Sequence, residues 1–162
     1  MVLEKMKKAV LITVLVFLAF LASSGNTTFA DGWVAWNPQG VPVWTEPGDQ
    51  IGTMRMVCDG SGGAIIVWEQ HSGTDWDIYA QRVNNNGVLL WGGVAILCNE
   101  PGNQVEPVVA GDGYGGAIIA WQDYRNGDWD IYALRISSGT GRAYPGWPPG
   151  GVAVSASTTE TE

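Results

Sequence analysis

Two short strings hold the densest polar and aromatic chemistry in the chain. Asp75-Trp76-Asp77 and Asp128-Trp129-Asp130 are copies of one pattern, and Asn126 stands just before the second. Oxygen donors at alternate positions, as in Asn126, Asp128 and Asp130, suit calcium, although the Gly and closing Glu of an EF-hand loop are missing. Trp76 and Trp129 beside carboxylates form a sugar platform, in which the ring face stacks on the sugar and carboxylate or amide binds its hydroxyls. Paired acids also serve glycoside hydrolysis, but this pair recurs with its surroundings, and catalytic pairs rarely recur in every unit. The purely structural alternative has one Asp capping the turn and the other pairing with Arg82 or Arg135. The indoles then serve packing, as do Trp44, Trp91 and Trp147 near strand ends. Side chains two apart on a strand share a face, so each Asp pair is expected on one face.

Other catalytic schemes lack their parts. Nucleophilic catalysis needs a base beside the nucleophile, and the single histidine, His71, lies in the loop Gln70-His71-Ser72-Gly73-Thr74. No Cys/His spacing for zinc is present. Cys58 and Cys98 allow one intramolecular pairing, yet they occupy different positions in the repeat described next, which favours two separate thiols. No enzyme and no cofactor is expected, calcium being the one metal the residues invite.

The elements that position these strings repeat. Asp59-Gly60-Ser61-Gly62-Gly63-Ala64-Ile65-Ile66-Val67-Trp68 returns 53 residues later as Asp112-Gly113-Tyr114-Gly115-Gly116-Ala117-Ile118-Ile119-Ala120-Trp121, and the same offset maps Arg82 onto Arg135. Gly40-Val41-Pro42-Val43 matches Gly93-Val94-Ala95-Ile96, and Gly151-Val152-Ala153-Val154 opens a third copy. Drawn this way, the units run 40–92 and 93–150, with partial copies at 32–36 and 151–154 and a polar tail at 155–162. Each unit predicts four strands. In the second they are 105–110, 116–122, 130–136 and a last strand ending near 154; the first unit's last strand is expected over 88–97. Asp and Gly between the first two strands supply a tight turn, and Asn84-Asn85-Asn86-Gly87 is a hairpin composition. The Gly-Ala-Ile-Ile run has no polar alternation, so both of its faces are expected to be covered. The predicted fold is all-β: tandem four-stranded blades of β-propeller type, with prism, solenoid or stacked-sheet arrangements as alternatives and a two-layer sandwich as the main competitor.

The string Trp121-Gln122-Asp123-Tyr124-Arg125-Asn126-Gly127-Asp128-Trp129-Asp130-Ile131-Tyr132 resembles the hairpin of TolB-type, WD40-like propeller repeats of exported bacterial proteins. The resemblance covers 32–154 and implies the fold rather than an activity. The period is longer than in TolB repeats, and the sialidase Asp-box is not matched, so no glycosidase is implied.

Composition bounds the function further. Lys5, Lys7 and Lys8, then an apolar run over 9–22, then polar residues ending near Ala30, have the layout of a secretory signal peptide over 1–30. The run is short for a membrane span, which needs about 20 residues. Beyond it stand five arginines, no lysine and fifteen carboxylates, a formal charge near −10. That surface repels nucleic acid and anionic lipid. All nine tryptophans lie in this part. Propellers use roughly four to eight blades, and this chain has two and a fraction, so three arrangements are open: a fragment of a longer protein, a homo-oligomer that completes a ring, or an open stack with exposed edges, the fragment being the one favoured. The expected function is a secreted or cell-envelope scaffold or protein-interaction surface. The alternatives are a lectin-like module with sites at each Asp-Trp-Asp loop, or a non-catalytic part of a larger secreted hydrolase.

Overall fold

The computed structural model describes residues 27–28, 34–35, 40–45 and 52–155. The chain divides into two compact units, 1–41 and 42–162. In the first, β1 (Thr27–Thr28) pairs antiparallel with β2 (Val34–Ala35). The expected leader lies outside the described residues apart from Thr27 and Thr28, and so does most of the partial copy at 32–36. Among the described residues no helix is long and apolar enough to cross a membrane.

The second unit holds two antiparallel four-stranded sheets. β3 (Met54–Cys58), β4 (Ala64–His71), β5 (Trp76–Val83) and β6 (Ala95–Cys98) form one; β7 (Gln104–Gly111), β8 (Ala117–Asp123), β9 (Asp130–Ile136) and β10 (Val152–Ser155) form the other. In each sheet every strand pairs with the next in sequence. The described chain is therefore all-β, and each copy of the repeat makes its own sheet. Sheet and repeat share a period but differ in phase: β6 completes the first sheet, and Val152, Ala153 and Val154 belong to the last strand of the second. Ser155, expected in the polar tail, closes β10, and 156–162 lie outside the described residues.

The last strand of the first sheet is shorter than the expected 88–97. Leu89 makes an isolated bridge to Val83, and the ladder resumes only at Ala95. Between them Gly92 takes a φ of 64°, a left-handed backbone that leaves the ladder.

The turn between first and second strands is the most closely repeated element. Asp59 Oδ1 accepts the N–H groups of Ser61 and Gly63, both at 2.8 Å. Asp112 Oδ1 accepts those of Tyr114 and Gly116 at 2.8 and 2.9 Å. Gly63 and Gly116 are required for space: an added Cβ would lie 2.2 Å from the Val83 carbonyl oxygen in one copy and 2.3 Å from that of Ile136 in the other.

The sheets stack face to face. Ile65, Val67, Ile78 and Ala80 of the first share one core with Ile119, Trp121, Tyr132 and Leu134 of the second. Burying each large apolar side chain in such a core contributes about 1.5–3 kcal/mol. The two sheets use opposite faces of the repeat. Fifty-three residues after Ile65 and Ile78 stand Ile118 and Ile131, which are 40 % and 39 % exposed. The apolar run is thus covered on both faces in β4, where Ile65 is 0 % and Trp68 6 % exposed, and on one face only in β8. Glu69 ties the sheets: its carboxylate accepts the N–H of Thr53 at 2.9 Å and, from β7, that of Glu106 at 2.5 Å. Glu106 adopts a φ of 53° at the irregularity in β7, a strained conformation that aims its N–H across the gap.

Candidate ligand-binding site

Each hairpin joining a second to a third strand ends in a pair of rings. His71 closes β4 and Trp76 opens β5; the two residues are cross-strand partners, with centroids 5.0 Å apart at 75°. Tyr124 and Trp129 repeat the pair at 5.0 Å and 51°. Partners across a hairpin mouth have Cβ atoms about 5 Å apart, which is why ring residues at these positions meet. The second tip is the open one: Trp129 is 52 % and Tyr124 40 % exposed, with Asn126 and Asp128 also exposed, whereas Trp76 is half-buried.

The acids of each string are divided rather than paired. Asp77 and Asp130 are each 4 % exposed, while Asp75 is half-buried and Asp128 exposed. The expectation of a shared face fails because the strands begin at Trp76 and Asp130, so Asp75 and Asp128 belong to the turns and escape strand alternation. Burial, assisted by the Asp75 charge, pushes the Asp77 carboxyl above its ordinary value, against a hydrogen bond from Ser72. Asn126 Nδ2 donates to Asp130 Oδ2 at 3.2 Å and to the Tyr132 hydroxyl at 3.3 Å. Asn126 therefore offers Asp130 a nitrogen donor. Among the described residues no three His, Cys, Asp or Glu side chains converge to hold a metal ion.

The arginines expected to pair with these acids pair elsewhere. Arg82 binds Asp59 and Arg135 binds Asp112, each at 2.8 Å. Distance is the reason: Asp77 and Arg82 lie five residues apart on one strand, about 16 Å, at opposite ends of the sheet. Burial raises the Asp59 and Asp112 carboxyls, but the turn N–H groups and the guanidiniums outweigh it and bring both below the ordinary value.

Two features at the tips escaped the sequence reading. Asn103 links the hairpins: its side-chain oxygen accepts the Trp76 N–H at 3.1 Å, and its carbonyl accepts the Tyr124 N–H at 2.9 Å. It follows Glu100-Pro101-Gly102, which matches Glu46-Pro47-Gly48 with a one-residue slip, and that slip hid it. Behind the second tip, Asp123, whose side chain is 0 % exposed, is gripped by Arg125 through Nε at 2.9 Å and Nη2 at 2.6 Å, and accepts the Trp121 indole N–H at 2.7 Å. Burial raises Asp123; these donors reverse the shift and hold it low. Arg125 also lies 3.8 Å over the Tyr132 ring and donates to the Gly150 carbonyl at 2.8 Å and the Cys98 sulfur at 3.1 Å. Both cysteines are free, Cys58 exposed and Cys98 buried. Burial pushes the Cys98 thiol up to about 12, which leaves it protonated and unreactive at neutral pH.

A cleft of about 760 Å³ runs between β6 and the 140–150 segment, with Trp91, Tyr144 and Trp147 among its walls. Trp91 is anchored there, its indole donating to the Ser138 carbonyl at 2.9 Å. Fold and site together define an all-β protein of stacked four-stranded sheets with aromatic hairpin tips. Comparison with known proteins finds no family model, curated protein or solved structure that matches the chain.

Proposed function

We propose that the chain is an exported, non-enzymatic segment of β-propeller repeats acting as a scaffold or protein-interaction surface. The observation that carries this is the stacking of two separate four-stranded meanders, front of one on back of the other, with an apolar face left open on the second. Blades of a propeller stack in this way. The lone histidine, packed against Trp76, gives no nucleophile–base pair, which supports the non-enzymatic reading.

The lectin-like reading has one observation in its favour: Trp129 and Tyr124 are open to solvent beside Asn126 and Asp128. A glycan array probed with and without calcium decides between the two. The scaffold reading expects no sugar bound in either condition. A sugar bound by the chain and lost with Trp129→Ala replaces it with the lectin reading, and dependence on calcium assigns the ion to Asn126, Asp128 and Asp130.

A further inference from the structure

We infer that the cleft between β6 and the 140–150 segment takes an extended peptide, which adds to the first sheet as a fifth strand beside β6. This names the partner for the protein-interaction reading and rests on it. Every residue from Trp91 to Glu100 borders the cleft, so all four residues of β6 do. Side chains alternate between the two faces of a strand. A cleft that touches four strand residues in a row therefore lies along the strand's edge. That edge is open: β6 ends its sheet and, among the described strands, pairs with β5 alone. An edge strand presents N–H and C=O groups, at alternate residues, to whatever lies beside it.

The opposite wall is poor in donors for the β6 carbonyls. It reads Tyr144-Pro145-Gly146-Trp147-Pro148-Pro149-Gly150, and its prolines have no N–H. Tyr144 and Trp147 donate theirs to the Arg135 and Tyr144 carbonyls at 2.7 and 2.9 Å. The wall meets the first sheet at both ends of the cleft. Gly141 packs on the Trp91 ring, where an added Cβ would come within 2.6 Å of a ring carbon, and the Gly150 carbonyl lies 3.8 Å from the Cys98 sulfur. Between these contacts about 760 Å³ stays open, a volume in the range of ligand clefts.

The walls set the chemistry of the occupant. An added strand meets the buried Leu97 and Leu134 and the rings of Trp91, Tyr144 and Trp147, so it carries apolar side chains at alternate positions. It has no proline where its own N–H must reach a β6 carbonyl. Glu100 and Arg142 are exposed at opposite ends of the cleft, the first beside Gly150 and the second next to Gly141. They orient the peptide, its basic end at Glu100 and its acidic end at Arg142. Main-chain bonds to β6 then supply affinity, and the alternate side chains supply specificity.

Panning a phage library of random octapeptides against the full chain tests this, with amide hydrogen exchange as the direct readout. Selected peptides should share the alternating apolar pattern, and a saturating selected peptide should slow exchange within Ala95–Cys98. N-methylation of the peptide amides should weaken binding about tenfold at one alternate set of positions and little at the other, the two-residue period of a paired strand. Glu100→Lys with Arg142→Glu changes only exposed side chains, should keep the parent circular dichroism and melting, and should favour peptides with their end charges exchanged. A library that yields no binder overturns the inference. So does a peptide that binds without slowing exchange in β6, and in that case the protein-interaction reading stands with its surface elsewhere. That reading fails separately, on the glycan array, if the chain binds a sugar.

Discussion

The two sheets come from one repeated sequence and share a strand order, an Asp-Gly turn and an Asp–Arg pair, yet their hairpin tips are stabilised differently. In the second, Trp121, Asp123 and Arg125 form a closed set of charged hydrogen bonds that reaches back to Cys98 of the first sheet. The positions 53 residues earlier hold Trp68, Gln70 and Ser72, which form no such set: the Trp68 N–H and the Gln70 oxygen are buried without a partner among the described residues. A repeat therefore conserves its backbone through a few turn residues while its buried polar groups diverge. The fully enclosed Asp123 carboxylate is held by a guanidinium, and the neutral Gln70 amide in its place has none.

Substitutions at matched positions put this contrast to the test. The largest effect is expected from Arg125→Ala, which leaves Asp123 buried without its counter-ion and should cost about 3–5 kcal/mol in urea denaturation; Ser72→Ala at the matched position removes only a hydroxyl bond to Asp77 and should cost less, about 0.5–1.5 kcal/mol. Equal losses would mean that the charged set contributes nothing special. Next come the matched indoles. Trp121→Phe and Trp68→Phe remove the same volume, but only the first removes a bond to a charged group, so it should be the more costly by about 1.5–3 kcal/mol. The smallest effect concerns Asp77, across the strand pair from Gln70. Its folded pKa is raised, chiefly by burial, so the stability it contributes is complete below its unfolded value and is lost as pH rises through the folded one. Asp77→Asn should then be more stable than the parent at neutral pH, with the gain vanishing below about pH 4. Melting curves from pH 3 to 7 measure it, and a gain that grows toward acid would contradict the assignment.

Much of the fold was legible. Strand 130–136 was expected and found as such, and β7 and β8 differ from 105–110 and 116–122 by one residue at each end. Asp59 and Asp112 with their glycines announced the turns because only glycine fits the carbonyl contact at Gly63 and Gly116. The β6 boundary was missed because an apolar run interrupted by Gly92-Gly93 has the composition of one strand. The site was less legible. The ring pairs lay within the repeat, but the division of Asp128 from Asp130 depends on where the strand begins, and Asn103 belongs to neither hairpin it joins.

By itself the sequence determined the unit: its period, its four strands and the residues at its turns, all of which depend on contacts within one copy. Only the tertiary structure decided which face of each sheet is core. Ile65 and Ile118 are the same residue in the same local setting, and one is enclosed while the other meets solvent. Local pattern records that a side chain is apolar. Whether another sheet lies above it is a property of the stack.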